Sequence, residues 1–417
     1  LGITEAAQER SLTALDWSMR NQPTSAGILA LMPLAAKCDD LQQTLFEQDV
    51  CPLVNNIIAV DRHNNMTRFI AATLRKRPGH SRPGVTGTVP LPGWDSSFHF
   101  ELSNAQELTV EENPVSGTLW TANNDTMGAN GDFPIHNFPT HDARARRIEE
   151  MLIQKSAPFD TAYFEEMQLD LLDLKAKDTL PAIIDALKSE QSDEIVLATS
   201  LLEDWDCVAS LDSKAACIYY PLLDQRIHLQ FMKAVLGESP LLETLATIAP
   251  GLNLFSIDDF MEEGSPWRNH QVLLNRIVCD NVGKIVSYLM ANYGEDWCWG
   301  KLHQIKFGHS LRKYDNWRDM TVGPDPIGGS PTTLAMAMHN PPLSGKLEQQ
   351  VFHGPAFRWI VDMADPKHFR FVIAGGNGGR PDSQYISNQY EYWLAGRYYD
   401  MSLIREELDI NFTLKID

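Results

Sequence analysis

Cysteine is scarce and scattered: Cys38, Cys51, Cys207, Cys217, Cys279 and Cys298 are the six in 417 residues, with no C-x-x-C pair among them. That spacing excludes a zinc ribbon and a thioredoxin-type redox motif. Cysteines spread this thinly read as buried free thiols, although Cys38 and Cys51 are close enough in sequence to pair in an oxidising compartment. Positive charge is also in deficit. A formal net charge of −20 disfavours nucleic acid or an anionic membrane as partner. Long apolar runs are missing: the best, residues 27–36, is broken by Pro33 and is too short to span a membrane. Leu1 opens no basic segment and no long apolar stretch, so the start reads as a fragment or a processed end, not a signal peptide. A G-x-S-x-G elbow, an H-E-x-x-H helix and a P-loop are all absent, which removes the local signatures of those three chemistries.

What is present fits a soluble globular chain. Hydrophobic content of 43% against 22% charged is enough for a sizeable core and too apolar for long disorder. Residues 1–50 read as mainly helical, from Leu12, Leu15, Trp17 and Met19, then Leu31, Leu34, Leu41, Leu45 and Phe46. Residues 55–61 (NNIIAVD) form a short buried strand, paired with 67–74 across a turn at 63–65. A basic loop (Arg75, Lys76, Arg77, Arg82) is either a contact for an anionic group or a solvated surface. From about 140 to 308 the periodicity is helical. Thr140 or Asp142 is placed to cap the first helix, 169–174 continues an apolar face, and Pro181 is placed in a first turn. His303 and His309 are six apart, so a helix puts them on different faces and a shared metal is not expected. Strands return after 308, at 359–363 and 369–374, the latter entering a Gly-rich loop at 375–380. Pro381 follows that loop where a phosphate cradle needs a helix start, so phosphate binding is rejected. Acidic residues Asp258, Asp259, Glu262 and Glu263 read as a solvated helix end. The reading is one discontinuous α+β domain over 1–417: strand-rich with leading helices to 139, helical over 140–308, and strand-rich over 309–417.

The most informative stretch is 114–152. A turn at 114–117 leads into an apolar run, 118–122, read as a strand that ends on Asn123 and Asn124. A Gly/Asn/Pro-rich loop follows, and then a helix start in which Arg144, Arg146 and Arg147 flank Ile148, Met151 and Leu152. A carboxamide at a strand's tip offers N–H donors to a reacting carbonyl, a role worth ~3–4 kcal/mol at a developing oxyanion. On pattern alone, Asn-Asn before Asp, Gly and Asn is ordinary turn chemistry, and that reading is the stronger one.

This stretch resembles the segment of the penicillin acylase (penicillin amidase) family in which a strand ends on Asn-Asn and leads into an Arg-led helix. Other landmarks follow in the family's order. Asn64-Asn65-Met66 stands where a hairpin Gly-Asn-Ile is usual, and Leu91-Pro92-Gly93-Trp94 resembles the loop before the Asn-Asn strand. Further on come Met167-Gln168-Leu169-Asp170, Trp205-Asp206, WCWGKLHQIKFGH from Trp297 to His309, Gly328-Gly329-Ser330 with Thr332 and Thr333, and Gly354-Pro355-Ala356-Phe357-Arg358. Gly375-Gly376-Asn377-Gly378 replaces the usual Gly-Gln-Ser-Gly, and Ser383, Tyr385, Gln389, Trp393, Gly396 and Tyr398 complete the set.

The resemblance implies an N-terminal-nucleophile hydrolase with an αββα sandwich, incomplete here, around a large helical middle section. It implies hydrolysis of a linear amide in a small N-acyl compound: a penicillin, an acyl-homoserine lactone or an acyl amino acid. Asn123 takes the oxyanion-donor position and Arg144 that of its supporting cation. Residue 1 is leucine, which has no nucleophilic atom, so the catalytic serine is expected on a companion chain or segment. The other reading is an acylase-fold protein that only binds or assembles. No cofactor is expected; family members often hold calcium with an Asp where this chain has Asn137, a neutral and weaker ligand. A periplasmic or secreted location is implied.

Overall fold

In the computed structural model, the described residues are 35–47, 55–72, 91–103 and 110–126, then 142–155, 158–224, 227–237, 269–309, 321–339, 345–378 and 383–407, with short pieces at 2–5, 12–15, 32, 74, 76, 108, 311 and 313–314. Contacts divide the chain into two compact units, Leu1–Ala145 and Arg146–Asp417.

In the first unit, β1 (Gly2–Glu5) and β2 (Leu12–Leu15) pair antiparallel. They replace the leading helix expected there. Ile3, Thr4 and Thr13 are β-branched, and a hairpin partner nearby decides in favour of strand over a mixed helical spacing. Helix α1 (Cys38–Glu47) is formed and buries Leu41 and Leu45 against the hairpin of β3 (Asn55–Val60) and β4 (Met66–Ala71). Alternation turns Ile57 and Phe69 toward that helix, where Phe46 meets Phe69 edge-on at 5.5 Å. The expected turn is closed by Asp61, whose Oδ1 accepts from the backbone N–H of His63 (2.7 Å) and Asn65 (3.1 Å). Asn64 sits there at φ +63°, the left-handed region that Asn tolerates. Strand β5 (Val110–Glu112) extends the sheet on β4. Cys38 is a buried free thiol whose Sγ donates to Asn65 O; Cys51 lies outside the described residues. Helix α2 (Ala143–Gln154) begins at the end of this unit.

The second unit carries the helical section: α3 (Thr161–Gln168), α4 (Leu174–Leu187), α5 (Asp193–Glu203), α6 (Ala216–Asp224), α7 (Ile227–Leu236), α8 (Gln271–Tyr293) and α9 (Trp299–Leu302). Its core gathers Leu180, Ile183 and Leu187 of α4, Leu202 of α5, Ile218 and Tyr219 of α6, and Val278, Val282 and Leu289 of α8. These repeats of three and four are what an amphipathic helix buries. Residues 169–173 do not continue a helical face. Asp170 Oδ1 accepts from Leu172 N, and Leu172 forms a bridge with Val208 that breaks the helix. Pro181 is not in a first turn but inside α4. A mid-helix proline costs about 3 kcal/mol, offset here because Leu180, Ile183 and Leu187 are all buried.

Strands resume earlier than the periodicity indicates. β6 (His303–Gly308) occupies what reads as the end of the helical section. It is an interior strand of a sheet ordered β7 (Thr321–Pro326), β6, β9 (Gln349–His353), β8 (Met338–His339), and its β9 pairing is parallel. Such a partner lies far along the chain, so no local signal marks the switch. The expected pair at 359–363 and 369–374 is found as β10 (Phe357–Val361) and β11 (His368–Ile373), joined by β12 (Tyr399–Ser402). Their packed face carries Ile360 and Val372 against Tyr390 and Trp393 of α10 (Tyr390–Leu394).

One buried carboxylate ties these parts together. Asp173 is fully buried and caps α4, accepting from the N–H of Lys175 (2.9 Å) and Ala176 (3.2 Å). Its Oδ2 accepts from Tyr220 Oη of α6 (2.9 Å), Ser330 Oγ (2.9 Å) and Thr332 Oγ1 (2.7 Å). Replacing Asp173 by alanine removes a cap and strands three hydroxyls. Urea unfolding is expected to show a loss of about 3–5 kcal/mol, against about 1 kcal/mol for Ser330→Ala.

Candidate functional site

The segment bearing Asn123 starts from a turn in which Gly117 N donates to Pro114 O at 2.8 Å, with Gly117 at φ +68°. Residues 118–122 then run without joining a ladder among the described residues, so the strand expected there is not formed. Side chains hold it instead. Arg68 of β4 splits its guanidinium, Nη1 donating to Trp120 O at 2.6 Å and Nη2 to Glu111 Oε2 at 2.5 Å. Asn124 Oδ1 accepts from Ala122 N at 3.0 Å, a side-chain bond back across the bend. Thr126 Oγ1 donates to Asn56 Oδ1 of β3 at 2.7 Å. The run is therefore pinned to the hairpin before and after the Asn pair.

Between those pins Asn123 is exposed and adopts φ +64°. Arg144, in the first turn of α2, donates from Nη2 to Asn123 Oδ1 at 2.9 Å. A guanidinium has donors only, so the carboxamide must present its oxygen to Arg144 and its NH₂ at the opposite end. Burial lowers the pKa of Arg144 from its ordinary value, yet a guanidinium keeps its charge at physiological pH. A cation on the amide oxygen polarises the group and strengthens its N–H donors. The pair can therefore stabilise a developing anion. It contains no nucleophile and no base. Thr140 and Asn137 lie outside the described residues.

The second unit accounts for the remaining landmarks. Trp299 is fully buried, stacks on His303 at 4.3 Å and 12°, and donates Nε1–H to Gly329 O at 3.0 Å. His303 and His309 lie on and just beyond β6, not on a helix. His303 points into the core, while His309 Nδ1 accepts from Leu311 N at 3.1 Å. Among the described residues no cluster of three or more His, Cys, Asp or Glu is arranged for a metal. Gln168 bridges Tyr398 Oη (2.8 Å) and Trp359 O (3.2 Å), and Asp170 accepts from Arg147 Nε at 2.5 Å. At the Gly-rich loop, a Cβ on Gly376 or Gly378 would lie 2.0 Å from Tyr385 O or 2.4 Å from Ser383 Oγ. Those glycines admit a close chain crossing. Of the basic loop only Lys76 is described, its backbone N–H donating to Glu101 O at 2.8 Å.

A buried chain of side chains went unseen in the sequence. His303 Nδ1 lies 2.8 Å from Ile327 O and must carry the proton, because a carbonyl only accepts. His303 Nε2 meets His339 Nδ1 at 3.1 Å, and His339 Nε2 faces Asp224 Oδ2 at 3.5 Å. Gln349 Nε2 donates to the same carboxylate. No local spacing marks these residues, since four separate elements supply them.

The family model described as penicillin amidase matches residues 3–409. An acyl-homoserine lactone acylase, QuiP, of Pseudomonas syringae pv. syringae (strain B728a) is 24% identical over 391 residues, covering 87% of this chain and 46% of that protein. Penicillin acylase 2 proenzyme of Pseudomonas sp. (strain SE83) is 23% identical over 363 residues, covering 81% and 43%. The chain thus spans less than half the length of these curated relatives. A thermostable penicillin G acylase from Alcaligenes faecalis superposes with a TM-score of 0.54 at 14% identity, over 94% of this chain and 72% of that one. That likeness concerns the fold: mixed α+β, with several sheets and a helical middle.

Burial, reinforced by the neighbouring His339, lowers the pKa of His303 from its ordinary 6.5 to about 3. The folded ring stays neutral where the unfolded one takes up a proton, so the unfolded state gains as pH falls from 6.5 toward 3. Unfolding free energy should fall through this window by about 1.4 kcal/mol per pH unit from this group. Urea titrations between pH 6.5 and 4.5 should show a shallower dependence in His303→Gln than in the wild type.

Proposed function

The chain belongs to the penicillin amidase family, and from that membership we propose that it supplies the oxyanion-holding part of an acylase. The reaction is hydrolysis of a linear amide in a small N-acyl compound, of the penicillin, acyl-homoserine-lactone or acyl-amino-acid kind. The observation that carries this reading is the hydrogen bond from Arg144 to Asn123 Oδ1 at 2.9 Å. It leaves the NH₂ end of the amide oriented away from the cation, the arrangement an oxyanion donor requires.

The mechanism follows the family's chemistry. A serine hydroxyl at the start of a companion chain or segment attacks the amide carbonyl, and its proton passes to that residue's α-amine. The carbonyl oxygen becomes an oxyanion, held by Asn123 Nδ2–H and a backbone N–H. Collapse of the tetrahedral adduct breaks the C–N bond, and the departing amine takes the proton. Water then hydrolyses the acyl ester by the same route. Arg144 acts through Asn123 and is a positioning residue in this scheme. An Ntn-type αββα sandwich and a periplasmic or secreted location belong to the same proposal.

Asn123→Ala in the complete assembly is expected to lower turnover by about 10²–10³-fold on N-acyl substrates, with folding little changed. Arg144→Met should lower kcat by about tenfold with KM nearly constant, the pattern of a lost transition-state interaction. Both are read from steady-state kinetics beside circular dichroism. Unchanged turnover in Asn123→Ala removes that residue from the mechanism.

A further inference from the structure

Strand β10 turns Arg358 toward the packed side of its sheet, where it is 7% exposed. Arg370 on β11 shares that side and is answered by two carboxylates, Glu165 (3.5 Å) and Asp400 (2.7 Å). Arg358 forms an ion pair with none among the described residues. Its Nη2 donates to Trp393 O, and its Nε is buried with no acceptor among the described residues. The guanidinium lies 5.4 Å from the Trp393 ring centroid and 5.5 Å from that of Tyr398. Tyr398 Oη is committed to Gln168 Oε1. Two ring faces return about 1–2 kcal/mol each at best, against several kcal/mol for taking a cation out of water. Burial accordingly lowers the pKa of Arg358.

A cavity of about 260 Å³ adjoins this cation. Arg358 lines it together with Leu169, Leu171, Ile327, Met336 and Trp393. Gly328 and Gly396 also face it, and their missing side chains keep Leu171 and Leu169 close, at 3.1 and 2.8 Å from where a Cβ would stand. Among the described residues Arg358 is the one charged group lining it, and apart from the amide of Gln168 the lining side chains are apolar. A dianion such as phosphate would remain half-neutralised there, and its polar oxygens would meet leucine and methionine. An uncharged ligand would leave the guanidinium uncompensated.

We propose that this cavity is a binding site for a small organic monocarboxylate, its carboxylate paired with Arg358 and its apolar body against the Leu169, Leu171, Ile327 and Met336 wall. The site uses no residue of the Asn123–Arg144 pair and does not depend on the amide-hydrolysis reading.

The test is isothermal titration calorimetry and thermal denaturation of the purified protein with benzoate and hexanoate, beside benzamide, hexanol, chloride and phosphate. Saturable binding of at least one of the two carboxylates is expected, with none by the neutral analogues or inorganic anions. Arg358→Met should weaken binding roughly ten- to a hundredfold, as losing a hydrogen bond to a charged group does, while Arg358→Lys retains part of it. The unliganded Met variant should melt no lower than the wild type, because the substitution removes an uncompensated buried charge. Ala335 also lines the cavity, so Ala335→Leu, which fills it and leaves Arg358 in place, should also abolish binding. Absence of saturable carboxylate binding overturns the proposal. So does equal binding by Arg358→Met, by the neutral analogues or by the inorganic anions.

Discussion

A carboxylate with no access to water must find its hydrogen bonds inside the protein, and Asp173 organises the second unit by that requirement. Its donors come from the start of α4, from Tyr220 on α6 and from the loop at Ser330 and Thr332. Any register that moves one of these away takes a donor from the buried carboxylate and leaves the departing group to find another partner. The glycines beside that loop serve the same closure. Gly329, at φ +87°, carries its carbonyl to Trp299 Nε1, and a Cβ there would lie 2.2 Å from Ala335 O. Trp299 in turn stacks on His303. Trp299, His303, Gly329, Ser330 and Thr332, five of the sequence landmarks, thus meet around this hub.

The first unit solves a different problem. Residues 118–122 have no ladder, so the position of Asn123 depends on side chains reaching across from the hairpin. Arg68 suits the task because a planar fork can meet a carbonyl and a carboxylate at once. Asn123 at positive φ is held between that contact and Thr126, and Arg144 selects which face of its amide is which. Preorganisation of this kind is what an oxyanion donor needs, since reorientation during reaction would cost the stabilisation it provides.

Legibility followed the range of the interactions. The hairpin at 55–71, the turn at 114–117, the helix carrying Arg144 and the strands β10 and β11 were readable because local alternation or turn chemistry encodes them. The leading helix was misread because β1 and β2 are too short for periodicity to separate strand from helix. The helical reading through 308 failed at β6, whose parallel partner β9 lies far along the chain. Pro181 does not mark a first turn because α4 starts earlier, at its N-cap Asp173, whose side chain accepts from Lys175 N and Ala176 N. The apolar run 118–122 looked like a strand because composition does not reveal whether a neighbour is available to pair.

By itself the sequence determined which residue types stand in which order: an Asn pair, an arginine at a helix start, and glycines, tryptophans and histidines at family spacings. Those are enough to name a family and to nominate Asn123 and Arg144. Tertiary structure alone decided that Arg144 grips the oxygen of Asn123, that His303 is a core residue beside His339, and that Arg358 is buried with no carboxylate partner among the described residues. Each of these depends on a distance between elements remote in the chain. Burial and hydrogen bonding across such separations are set by packing, which local sequence pattern does not encode.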